Sequence, residues 1–210
     1  MSTGGRLTFK DANFHAAAFR ALFVECYEHW TVAGSIRRIA ATVNDIDHVV
    51  IPKSLDVCQE TMFGTESIGT ANSVWSTMDR LITVGTLSKA LYGADADPDP
   101  TSGESGGRTR YGPLLRSVVF ENVTHEVSCV TRNNLGAMIA LKTGPAGFSR
   151  YLVTKLRDGR RYRQEGGYVR YNKDDAVRAV LTELDYFALC GVSWITPEKR
   201  ERFAALLPRE

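Results

Sequence analysis

No stretch of this chain is apolar for the roughly 20 residues that a membrane-spanning helix needs, and its opening, MSTGGRLTFK, lacks the hydrophobic middle of a secretory signal. Both absences point to a protein with no membrane partner, expected in the cytoplasm or in the nucleus of a eukaryotic host. Cysteine is sparse as well. Cys26, Cys58, Cys129 and Cys190 are too scattered for a zinc cluster, and an intracellular setting argues against disulfides, so they are expected to be reduced packing residues. Net charge is small, a formal excess of +2, and no internal repeat is visible. What remains is ample apolar material. With 43% hydrophobic and 24% charged residues over 210 positions, the chain suits one or two small lobes with a real core.

Taken in order, Asp11 to His29 carries Phe14, Ala18, Ala21, Leu22 and Cys26 at roughly helical spacing, with Asp11 or Asn13 able to cap it. Trp30 to Ala33 reads as a short strand broken by Gly34-Ser35, and a turn or helical piece with Arg37 and Arg38 leads to a second strand, Asn44 to Ile51. Lys53 to Thr70 is ambiguous, and Ala71 to Tyr92 predicts a helix interrupted near Gly85. Gly93 to Gly107 reads as a surface excursion whose Asp95, Asp97 and Asp99 alternate, but Pro98 and Pro100 spoil a calcium loop. Leu114 to Val130 is β-rich. Asn133 to Lys142 and Pro145 to Asp158 predict two helices joined at Thr143-Gly144, and Gly159 to Tyr171 predicts a hairpin around Gly166-Gly167. Lys173 to Leu189 predicts an amphipathic helix, and Pro197 starts a charged helical piece in the tail.

The chemistry concentrates in AGSIRRIAATVNDIDHVVIP, residues 33 to 52. In an extended strand Asp45 and Asp47 project from one face, while Val49 and Val50 supply apolar burial. Like charges that close repel unless a cation lies between them, which makes a metal site the natural relief. Ahead of them, Gly34 and Ser35 open a helical turn whose backbone donors can bind an anion. Further on, Thr124, Glu126 and Ser128 share one strand face and Val123, Val127 and Cys129 the other. A single glutamate there also fits a solvated edge residue. His48 and His125, each adjacent to an acid, are expected to point away from it. The charge is local rather than global: Arg150, Lys155, Arg157, Arg160, Arg161, Arg163, Arg170 and Lys173 meet only Asp158 and Glu165. That run suits phosphate backbones or a solvated helix face.

GSIRR followed by NDIDHVVIP resembles the GS-x-RR and D-x-D palm motif of the family X DNA polymerases, the group of DNA polymerase beta and terminal deoxynucleotidyltransferase. NLGAMIALKTGPAGFSRYL resembles the family's thumb segment around a Thr-Gly turn, and DDAVRAVLTELDYFALCGVSWITPEKRE its closing segment. The resemblance implies an α+β fold: a nucleotidyltransferase palm over 1–132, with a mixed β-sheet and flanking helices, followed by a small α+β thumb over 133–210. Lyase and helix-hairpin-helix domains are not expected, as in the short viral members, which suggests a viral or phage source.

By the same resemblance, Asp45, Asp47 and Glu126 are the catalytic and metal-ligating acids for two Mg2+ ions, with Mn2+ able to substitute. Gly34, Ser35, Arg38 and Arg6 are expected to bind the triphosphate of a dNTP, with Leu141, Lys142, Gly144, Ser149 and Arg150 on the sugar and base side. Lys155, Arg157, Arg160, Arg161 and Arg163 would follow the nucleic acid, with Tyr162 and Tyr168 as stacking groups. The sequence departs from the family at Glu126, where relatives have Asp, and at Leu141-Lys142, where they have aromatics. The implied activity is a monomeric, metal-dependent DNA polymerase that extends a primer or fills a gap in repair. The alternatives are a template-independent enzyme or one with another acceptor, and a catalytically weak DNA-binding module.

Overall fold

The computed structural model describes residues 6–61, 64–92 and 108–207. β1 (Leu7–Thr8) leads straight into α1 (Phe9–Ala21) because the Thr8 hydroxyl accepts from the Asp11 amide at 3.2 Å and supplies the N-cap. The helix therefore starts before Asp11 and is capped by neither Asp11 nor Asn13. It also ends well short of His29, which lies in β2 (Tyr27–Val32). α2 (Gly34–Arg37) is the helical piece expected at the Gly-Ser break, followed by β3 (Thr42–Val43) and β4 (Asp45–Pro52). The ambiguous stretch beyond is a hairpin, β5 (Ser54–Thr61) with β6 (Gly64–Asn72).

Asn72 then caps α3 (Ser73–Thr83), its side chain taking the Trp75 amide at 3.0 Å. The helix expected to reach Tyr92 stops at Thr83. Gly85 turns the chain at φ +78°, and β7 (Ser88–Lys89) and β8 (Leu91–Tyr92) follow. The excursion expected over Gly93–Gly107 lies outside the described residues. β9 (Arg108–Thr109) precedes β10 (Leu115–Phe120) and β11 (Val123–Cys129), which are joined through Glu121 and Asn122, both at positive φ as a tight hairpin requires.

The C-terminal part holds α4 (Leu135–Thr143), α5 (Ala146–Asp158) and the hairpin of β12 (Tyr162–Glu165) with β13 (Tyr168–Tyr171), turned at Gly166 and Gly167. The helix expected from Lys173 does not form. Asp175 adopts φ +61°, β14 (Val177–Arg178) pairs with β13, and α6 (Glu183–Leu189) begins only at Thr182. There Thr182 and Asp185 satisfy each other's backbone amides, at 2.8 and 3.2 Å, in a capping box. α7 (Arg200–Ala205) closes the described chain.

The fold is α+β. Its main sheet has the order β2-β4-β11-β10-β7, with β4 and β11 parallel and the other neighbours antiparallel. One face buries Trp30, Val50 and Val127 against Phe19 and Phe23 and against Val74, Trp75 and Met78 of α3. The other face presents Val49, Ile51 and Val130, on which Leu135, Met138 and Ile139 of α4 pack. A separate core gathers Ala137 and Ala140 from the far side of α4 with Phe148, Leu152, Leu156, Tyr186 and Phe187. α4 is thus shared by both cores. Gly136 makes this possible, since a Cβ there would lie 2.1 Å from the Thr182 carbonyl oxygen. Among the described residues no helix is long and apolar enough to cross a membrane.

Candidate active site

Parallel pairing of β4 with β11 sets Glu126 opposite Asp47 and Thr124 opposite Asp45. Because side chains alternate along both strands, the three acids project from the same sheet face. His48 and His125 project from the other, as expected, and both are fully buried there. β11 is a central strand, so Glu126 is a buried residue rather than a solvated edge residue. Its Oε1 accepts from Arg110 at 2.9 Å and from the Ser117 hydroxyl at 3.3 Å. Neither partner carries a motif signal. Ser117 becomes visible only through the β10–β11 register, which sets it opposite Glu126.

The start of α2 is pressed against these acids. Ala33 N–H donates to the Asp47 carbonyl at 2.8 Å, and a Cβ on Gly34 would come within 2.3 Å of Asp47 Oδ2. Gly34 also has φ +58°, so glycine is required there for both space and conformation. Arg38 donates to the Ser35 hydroxyl at 3.3 Å, to the Thr143 carbonyl, and to Glu201 at 3.3 Å. Gly144, again at φ +58°, lets Arg38 pass, since its Cβ would lie 3.3 Å from Arg38 Nη1. Ser149 donates to the Leu141 carbonyl at 2.6 Å. Gly34, Ser35, Arg38, Gly144 and Ser149 therefore gather where α2 meets the α4–α5 turn.

Arg37 has a different task. It donates to Thr143 Oγ1 at 2.7 Å and to both oxygens of Glu183 at 2.9 and 2.8 Å, and Glu183 also pairs with the fully buried Arg200 at 2.8 Å. Arg6 is exposed, one residue beyond the Leu7–Val43 pair that leads toward Asp45.

Lys142 is where the structure adds most to the sequence. It was expected beside sugar and base, but its Nζ lies 3.0 Å from Glu126 Oε2 and 3.4 Å from Asp47 Oδ1. Leu135, Met138, Ile139 and Lys142 fall at i, i+3, i+4 and i+7, so the stripe of α4 that packs on the sheet ends in this ammonium. Burial pushes the Asp47 carboxyl up to about 6, Lys142 working against the rise and Asp45 and Glu126 adding to it. Burial, then Glu126, likewise raises Asp45. For Lys142, burial disfavours the charge, but Asp47 and Glu126 outweigh it and hold the ammonium above the ordinary lysine range.

As the side chains stand, no group of three His, Cys, Asp or Glu among the described residues is set to hold a metal ion. The donors do suit one chemically, because carboxylate oxygens on a shared face are the hard ligands that magnesium and manganese take. Among the basic residues, Arg150, Lys155, Arg157, Arg160 and Arg161 are exposed. Arg163 is instead turned into ion pairs with Glu165 and Asp175. Tyr162 is buried in the second core, so it packs rather than offering a stacking surface. Tyr168 is half-buried with its hydroxyl 3.3 Å from that of Thr131.

Fold and site together define an α+β chain with an acidic sheet face closed by a lysine and flanked by a glycine-serine-arginine turn. No protein-family model matches the chain, and no curated protein matches it significantly, so the family X resemblance stands on the residues that carry it.

Proposed function

We propose that the chain is a metal-dependent nucleotidyltransferase of the family X DNA polymerase type, transferring a nucleotide from a dNTP to a DNA 3′-hydroxyl in primer extension or gap filling. The observation that carries this is the convergence of Asp45, Asp47 and Glu126 on one sheet face against the Gly34-Ser35-Arg38 turn. Asp45, Asp47 and Glu126 would hold Mg2+ or Mn2+, which supplies charge neutralisation at the α-phosphate and activation of the acceptor hydroxyl. Arg38 and the Ser35 hydroxyl would orient the phosphates, and Gly34 leaves the approach to Asp47 open. Both oxygens of Glu126 already accept hydrogen bonds, which suits an anchor for cations better than a freely available base. Along α5, at about 1.5 Å per residue, Arg157 lies roughly 17 Å beyond the helix start. A DNA backbone running away from the site would therefore meet Lys155, Arg157, Arg160 and Arg161.

A second reading, a binding module with weak catalysis, draws on the lysine that already pairs with two of the acids. The test is incubation with labelled single-stranded, primed and gapped DNA, each dNTP or NTP, and magnesium or manganese. Template-matched addition is expected. Indiscriminate addition would favour a template-independent enzyme, and binding without incorporation the module. Asp45→Asn combined with Asp47→Asn should abolish incorporation and leave the circular dichroism spectrum unchanged. Full activity in that double variant would sink the proposal.

A further inference from the structure

Resting on the nucleotidyltransferase reading above, we infer that Lys142 is a tethered cation of the acidic face, standing in for one divalent ion, so that the free protein takes one such ion there rather than two. Its ammonium bridges Asp47 and Glu126, the two acids that face each other across β4 and β11. That is the region a shared cation would neutralise. The side chain is only 22% exposed, so this is not a surface lysine resting against a carboxylate by chance.

Its backbone is fixed on both sides. The Leu141 carbonyl is held by Ser149, while the Thr143 hydroxyl takes Arg37, and the Thr143 carbonyl takes Arg38. Below it, Leu135, Met138 and Ile139 seat α4 on Val49, Ile51 and Val130. The helix cannot carry Lys142 away from the acids without breaking these contacts, and only rotation of the lysine side chain remains.

Formal charge leads to the same conclusion. Among the described residues, the cations paired with these carboxylates are Lys142 and Arg110, two charges against three. A single divalent ion turns that balance positive, which favours a triphosphate. A second ion, with Lys142 retained, would have to enter a site already positive, against Coulomb repulsion.

The test is direct binding of Mn2+ alone, followed by electron paramagnetic resonance of the free ion, on the full chain and on Lys142→Met and Lys142→Gln. Wild type is expected to bind one ion at the acidic face. Loss of the ammonium should admit a second ion or tighten Mn2+ binding about tenfold or more, the effect of removing a like charge at close range. Lys142→Arg, which keeps the charge, should bind as wild type does. Two ions in wild type, no Mn2+ binding in any protein, or a smaller gain in both neutral variants overturns the inference, and the wild-type count needs no variant to fold. Incorporation on primed DNA, run on the same preparations, tests the enzyme reading separately. A protein that binds one Mn2+ and gains on losing Lys142, yet never extends a primer, would refute the activity and leave the tethered cation standing.

Discussion

At the scale of single residues, the two faces of β4 and β11 obey opposite electrostatic rules. Behind the acids, His48 and His125 lie 3.0 Å apart between Nε2 and Nδ1, Trp30 donates to His48 Nδ1 at 3.0 Å, and Phe19 stacks on His125 at 4.0 Å. If both rings are neutral, the donor order is determined: Trp30 to His48 Nδ1, then His48 Nε2–H to His125 Nδ1. Burial, with His125 adding to it, lowers His48 well below the usual histidine range. Burial, with His15 adding, lowers His125 to about 3. The unfolded chain protonates these rings near pH 6.5, while the fold resists it. Their contribution to stability is therefore whole above about pH 6.5 and declines as the pH falls toward about 3, because the unfolded state then binds more protons. Thermal melts of His125→Phe across that window should show a shallower acid limb than wild type. Parallel acid limbs would mean that this pair does not set it.

At the scale of elements, α4 decides what the sheet face becomes. Its Gly136 allows close approach to the Thr182 backbone, so Gly136→Ala should cost about 1–3 kcal/mol by overpacking, read as a lower urea midpoint with an unchanged slope. A midpoint equal to wild type would show that the Thr182 segment yields without cost. This helix was legible in the sequence as an apolar run ended by the Thr-Gly break, and β4, β11 and the shared face of Asp45 and Asp47 as β-rich runs beside the Gly-Ser break, with period-two spacing of their polar residues. The placement of Lys142 was not. Helical spacing shows that it shares a stripe with Leu135 and Ile139, but only packing against β4 shows that the stripe leads to Glu126. The supposed helix from Lys173 failed for a different reason. Its apolar residues do fall at helical intervals, but Val177 pairs with β13 in the first part, and the helix starts only at the capping box of Thr182 and Asp185. The β5–β6 hairpin was obscure because, among the described residues, its strands form a two-stranded sheet of their own, apart from the main sheet whose core marks the other strands.

At the scale of the whole molecule, a buried carboxylate is one of the ties between the sheet and the C-terminal core. Glu183 answers both Arg37, from the turn after β2, and Arg200, from the last helix. Although burial works against its charge, hydrogen bonding from Arg37 and the charges of Arg200 and Arg37 bring its pKa below the ordinary glutamate range. Removing it strands two guanidinium groups, one of them fully buried, so Glu183→Ala should lose about 3–5 kcal/mol. Urea unfolding followed by fluorescence checks this, and a loss indistinguishable from zero would mean that water replaces the tie. The parallel pairing of β4 with β11 has a consequence for the order of assembly. The strands that bring Asp47 to Glu126 are separated by residues 53–122, and the lysine between them arrives later still. A chain emerging from the ribosome therefore holds Asp47 and Glu126 apart until β11 has been made, by which point Arg110 is already present to pair with Glu126, and gains Lys142 only when α4 docks. The acidic face is thus assembled from three separated stretches of chain and is whole only once α4 is in place.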